Sequence, residues 1–95
     1  MLSSKQRAAL RAIANREDTI LYVGKSGITP NIEIQARDAL RARELIKGRV
    51  LENSLYTAKE AAEMLADMLD ADVVQTIGSR FVIFKRNPEN PRIEI

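Results

Sequence analysis

The run Thr19-Ile20-Leu21-Tyr22-Val23 stops at Gly24, and Thr29-Pro30 opens a new element five residues later. Five β-branched or apolar residues are too few for a helix and read as a buried strand. Thr29 is a good N-cap, and Pro30 suits the first helical position, where its missing amide costs nothing. Between them the chain must turn through Gly24-Lys25-Ser26-Gly27, whose two glycines permit a sharp turn and close approach of another backbone. A strand and a helix joined so tightly have to pack on each other, and the remaining segments must cover what they leave exposed.

The neighbouring segments supply that cover. A Ser3/Gln6 capping-box pattern predicts a helix from about Ser4 to Asn15 with Ala9, Leu10 and Ile13 on its buried stripe. The helix after Pro30 runs to about Arg43, with Ile32, Ala36, Ala39 and Leu40 on one face and Ile34, Arg37 and Arg41 on the other. Leu45 to Leu51 reads as a strand in which Gly48 marks a weak point, a bulge or a close approach. Thr57 with Glu60 opens a third helix to about Asp70; Ala58, Ala61, Ala62, Leu65, Met68 and Leu69 form its apolar face, and Glu60, Glu63, Asp67 and Asp70 its acidic one. Strands at 73–77 and 81–84, joined through Gly78, read as a hairpin.

The order α-β-α-β-α-β-β predicts an α+β fold: a two-layer sandwich of three helices on a four-stranded mixed sheet. With 95 residues there is room for one domain, expected over 1–86. Residues 87–95, with two prolines and mixed charge, are expected to form a loosely held tail.

The chain has neither cysteine nor histidine. Disulfides, thiolate metal sites, cysteine nucleophiles and histidine acid–base chemistry are excluded, and nothing in the pattern calls for a metal, a cofactor or a small-molecule substrate. No stretch has signal-peptide or membrane-spanning character, which makes a cytoplasmic protein the expectation, with no membrane partner. Carboxylates offer the remaining route to catalysis, but Glu60, Glu63 and Asp67 lie on a face with no partner to perturb them. A magnesium-dependent nuclease has little support on that ground, and the expectation is a protein that is not an enzyme.

Charge is unevenly spread. Residues 1–49 carry ten Lys/Arg against five Asp/Glu, residues 50–79 one against six, and residues 80–95 four against two. A basic first half and C-terminal piece, with an acidic segment between them, fit a polyanion on one side and repel it on the other. The turn at Gly24 suits a phosphodiester, because the positive end of the helix after Thr29 favours an anion and Lys25 adds a mobile charge. Lys5, Arg7, Arg11, Arg37, Arg41, Lys47, Arg80, Lys85 and Arg86 could extend such a surface. Tyr22, Tyr56, Phe81 and Phe84 are few for a base-stacking platform and read mostly as core, with Phe81 and Phe84 pointing to opposite faces. A protein adaptor using the acidic helix and Ile34 is the second reading.

Strand, GxxG and helix in this order is the arrangement with which KH domains clamp a nucleic-acid backbone. Three blocks go further: Leu21-Tyr22-Val23-Gly24-Lys25-Ser26-Gly27-Ile28-Thr29, Arg43-Glu44-Leu45-Ile46-Lys47 and Val74-Gln75-Thr76-Ile77-Gly78-Ser79. With the opening Leu2-Ser3-Ser4-Lys5-Gln6-Arg7, they resemble the YhbY-like, or CRM-domain, family over nearly the whole chain. That resemblance implies an RNA-binding domain with a fold related to the C-terminal domain of translation initiation factor three. It further implies ribosomal RNA of a large-subunit precursor as ligand, a part in ribosome assembly, and contact through Gly24, Lys25, Ser26, Gly27 and Thr29. Charge asymmetry adds ribosomal proteins as a second class of partner. Gly48, where the family usually has an apolar strand residue, and Phe84-Lys85-Arg86, in place of a Tyr-Arg ending, depart from the pattern.

Overall fold

The structure, a computed structural model, describes residues 2–95. The elements follow the expected order: α1 (Ser4–Ala14), β1 (Thr19–Val23), α2 (Pro30–Arg43), β2 (Leu45–Val50), α3 (Ala58–Leu69), β3 (Asp72–Ile77) and β4 (Arg80–Phe84). Each helix starts where its cap requires. Ser3 and Gln6 close one capping box and Thr57 and Glu60 another, while the Thr29 hydroxyl accepts from the Ile32 amide. Among the described residues, no helix is long and apolar enough to cross a membrane.

The strands form one mixed sheet in the order β1-β2-β4-β3. β1 and β2 are parallel, with α2 as the crossover, and the other two pairings are antiparallel. The register gives the sheet two distinct ends. Val23, Val50, Arg80 and Ile77 share the end from which the Gly24 turn emerges, whereas Leu45, Asp72 and Phe84 share the other.

Helices α2 and α3 form a layer on one face, where Ala36, Leu40, Ala61, Ala62 and Leu65 pack against Leu21, Val23, Ile46, Phe81 and Ile83. The other face is partly covered as well. Leu10 and Ala14 of α1 pack there on Leu45, Val74, Val82 and Phe84, with Ile93 and Ile95 of the tail at the margin. Phe81 and Phe84 thus serve the two faces, as their spacing requires. Ala9 and Met68, expected in the apolar stripes, are exposed, and the stripes close instead on Ala14 and Ala66.

Gly48 marks a close approach. A Cβ there would lie 2.2 Å from Cζ of Phe81, its cross-strand partner, so the phenyl ring occupies the volume that a side chain would need. An aromatic folded over a strand glycine restores the apolar contact that glycine lacks.

The tail, expected to be loose, forms no helix or strand but is tethered. Glu44, fully buried at the end of α2, accepts from the amides of Asn87 (2.6 Å), Arg92 (2.6 Å) and Ile93 (2.8 Å). Composition could not reveal this, because the anchor lies more than forty residues away in sequence. Burial pushes the Glu44 carboxyl up, but those three amides and the Arg86 charge outweigh it and hold the group below the usual carboxylate value. A carboxyl depressed in the folded state stabilises fully above its unfolded value, and the contribution is lost as pH falls through the folded one. Acidification below about pH 4.5 should therefore loosen residues 87–95 first. Glu44→Gln turns an acceptor into a donor facing those amides and should cost about 1.5–3 kcal/mol. Hydrogen exchange at Arg92 and Ile93 checks both; unchanged protection in the variant would contradict the tether.

Candidate nucleic-acid interface

The Gly24 turn is built from its neighbours. The Gly27 amide donates to the Gly24 carbonyl at 3.0 Å, closing the turn and pushing Lys25 and Ser26 into solvent. Gly27 has φ 70°, and a Cβ on it would come within 2.8 Å of Cε2 of Tyr56, so both backbone and space demand glycine. Gly24 is different. Its φ is not positive, and a Cβ would meet Leu51 Cδ1 at an ordinary 3.6 Å. Neither backbone nor space in the fold therefore requires glycine at 24, where a Cβ would rest against Leu51 and Asn53.

The segment after β2 braces the turn. The Leu51 amide donates to Val23 at 2.8 Å, and Ser54 Oγ, donating to the Tyr56 carbonyl and accepting from its amide, fixes the ring against Gly27. Thr29 acts through the cap on α2 and is half-buried. A rigid turn with two exposed polar residues, at the positive end of a fourteen-residue helix, is organised for an anion.

The basic residues fall into separate groups. Arg80 stands at the same end of the sheet as the turn, paired with Arg49, and Lys47 precedes Arg49 by two residues in β2, farther from the turn and opposite Thr19. Lys85 and Arg86 follow the opposite end of β4, whose five residues span roughly 15 Å. There they line, with Arg37 and Arg41, a cleft of about 440 Å³ between α2, α3 and the tail. Three of the four are partly engaged: Lys85 Nζ donates to the Leu69 carbonyl at 2.8 Å, Arg37 pairs with Glu33 at 2.8 Å, and Arg86 lies over the Phe84 ring. Arg7 and Arg11 sit half-buried on α1, while Lys5 is exposed. The single surface around the turn envisaged from sequence is thus divided: of its strand residues Arg80 shares the turn's end of the sheet, while Lys47 is half-buried part-way along β2.

Two residues at the turn's end of the sheet escaped the sequence reading. Arg49 is exposed in β2 between Lys47 and the strand end, and Tyr22, read as core, is 51 % exposed. Alternation could have found both. Leu21 and Val23 face the core, which turns Tyr22 outward, and a small residue at 48 turned inward puts 49 outward. Glu60, Glu63, Asp67 and Asp70 are exposed along α3, as expected, and so is Ile34 on α2.

Comparison with known proteins bears on this geometry. The model of the CRS1/YhbY (CRM) domain matches residues 2–85. The chain is 41 % identical over 95 residues to "Probable RNA-binding protein YqeI" of Bacillus subtilis, covering all of this chain and 99 % of that protein. It is 28 % identical over 88 residues to a Haemophilus influenzae protein named "RNA-binding protein", covering 93 % of this chain and 89 % of that one. The solution structure of the hypothetical protein SAV1595 from Staphylococcus aureus superposes with a TM-score of 0.82 at 43 % identity, over all of this chain and 99 % of the other. This is not a family of enzymes. Fold order, turn and end-to-end similarity agree: the chain belongs to the CRS1/YhbY, or CRM, domain family.

Proposed function

We propose that this protein binds RNA through the Gly24–Gly27 turn, and that its ligand is ribosomal RNA in a precursor of the large subunit, where it assists assembly in the cytoplasm. RNA binding is supported by the family and by the names of the relatives. The observation that carries the turn is Gly24, a glycine that the fold does not require, beside an exposed lysine at a helix N-terminus. A phosphodiester can lie against that backbone while Lys25 neutralises its charge. Recognition by such a grip is of backbone and shape, and the acidic side of α3, which repels RNA, is free to meet basic ribosomal proteins.

Two measurements test this reading. Affinity for large-subunit ribosomal RNA fragments should fall as salt rises, with a log–log slope of about −2 to −4 for three or four phosphates neutralised. In cell extract the protein should sediment with large-subunit precursors. A flat salt dependence, or sedimentation with neither precursors nor subunits, would overturn it. Gly24→Ala separates binding from folding: stability should stay within about 0.5 kcal/mol of the original, while RNA affinity falls. Gly27→Ala, strained at positive φ and against Tyr56, should instead lose about 1–2 kcal/mol of stability.

A further inference from the structure

The end of the sheet beside the turn carries a row of four exposed side chains on the face that α2 and α3 do not cover. Cross-strand register pairs Tyr22 with Arg49, Arg49 with Arg80, and Arg80 with Ile77, so one residue from every strand lies in line. Directly paired residues point to the same face, and three members alternate with core positions: Tyr22 with Leu21 and Val23, Arg49 with Gly48 under Phe81, and Arg80 with Phe81 itself; Ile77 follows Thr76, which pairs with Phe81. Tyr22 is 51 % and Ile77 64 % exposed, and both arginines are exposed. The cluster under α1 begins only at Val82, two residues further along β4. An aromatic and an isoleucine thus lie in water on one sheet face, flanking two guanidinium groups.

Tyr22 itself stays half in water: its hydroxyl comes no nearer than 3.5 Å to the Thr19 carbonyl, three residues back along its own strand, and 51 % of the residue is exposed. A flat aromatic beside two guanidinium planes fits the face of a nucleobase, and Lys47, half-buried on the same sheet face, adds charge for the backbone. Tyr22 is two residues before Gly24, so a strand held at the turn passes directly onto this row.

We propose that the row Tyr22–Arg49–Arg80–Ile77 is a second RNA-contacting surface that stacks unpaired nucleotides, continuous with the Gly24–Gly27 turn. It rests on the reading that the turn holds RNA, and it adds a substrate class: the ligand has unpaired bases beside the gripped backbone, because a base inside a duplex does not offer its face to Tyr22. Charge complementarity selects a polyanion for this face, and nucleic acid is the polyanion that also presents flat rings to Tyr22 beside its phosphates.

The test compares a single-stranded oligoribonucleotide with a fully paired RNA duplex of the same length, each titrated against the original protein, Tyr22→Leu, Tyr22→Phe, Arg49→Gln and the Lys25→Asp, Ser26→Asp double variant. Tyr22→Leu should weaken single-strand binding roughly tenfold and leave duplex binding unchanged. Tyr22→Phe should bind like the original, and Arg49→Gln should fall between them. Melting temperatures of the Tyr22 and Arg49 variants, whose side chains are exposed, should match the original. If Tyr22→Leu keeps full single-strand affinity while the turn variant loses it, the row is overturned and the turn stands. If Tyr22→Leu loses single-strand binding and the turn variant does not, the row stands and the turn falls. Equal loss on strand and duplex would overturn stacking, and binding of neither RNA by the original protein would overturn both.

Discussion

Gly48→Ala is expected to lower the stability of this domain by about 3 kcal/mol, the upper end for a group forced into a filled core. On glycine in a strand the usual expectation is the reverse, because alanine restricts the unfolded chain and suits a strand better. Space decides the sign. The new Cβ would lie 2.2, 2.6 and 2.7 Å from three atoms of the Phe81 ring, and that ring is 1 % exposed, held between β2 and the layer of α2 and α3. It has no room to swing away. In a domain with a total stability of roughly 5–14 kcal/mol, a 3 kcal/mol loss moves the melting midpoint by roughly 10–20 °C. Phe81→Leu should cost less, and Gly48→Ala combined with Phe81→Leu should be markedly less destabilised than the two losses added, since each relieves the other. Thermal unfolding of the three variants checks the coupling. Additive losses, or a Gly48→Ala protein that melts like the original, would contradict the close approach.

Where local chemistry decides the structure, the sequence was a reliable guide. The Ser3, Thr29 and Thr57 caps fixed three helix starts, and β1 has the boundaries that its five-residue run implied. Phe81 and Phe84 went to opposite faces because a strand alternates strictly. Legibility ended where distant segments meet. Nothing near Gly48 in sequence announces Phe81, and nothing near Asn87 announces Glu44. The basic residues show the same limit, since Lys85 and Arg86 were countable but only the antiparallel register of β2 and β4 puts them at the end of the sheet away from Lys25. Tyr22 was hidden differently: a run in which every residue is apolar or β-branched looks buried on both sides, and whether a helix covers the second face is a tertiary fact.

Lys25→Asp with Ser26→Asp is expected to have the largest effect on binding. Both side chains project from the tip of a turn whose backbone is held by the Gly27–Gly24 hydrogen bond and by Tyr56, and neither contributes to the core. Folding should be untouched, with stability within about 0.5 kcal/mol of the original. Binding should suffer twice, because a cation that neutralises a phosphate is lost and two anions are set against the same backbone. Like charges held together at an interface cost several kcal/mol; taking about 3 kcal/mol gives a loss of roughly a hundredfold. The salt slope should become shallower by about 1. By contrast, charge reversal at Lys85 or Arg86, across the sheet from the turn, should change affinity far less.

The most direct measurement is therefore the affinity of the original protein and of the Lys25→Asp, Ser26→Asp variant for the same large-subunit ribosomal RNA fragment across a range of salt, with melting curves of both. A loss of roughly a hundredfold at low salt, a shallower salt slope and superimposable melting curves are the predicted result. Equal affinity and equal slope for the two proteins would contradict the grip at Gly24–Gly27.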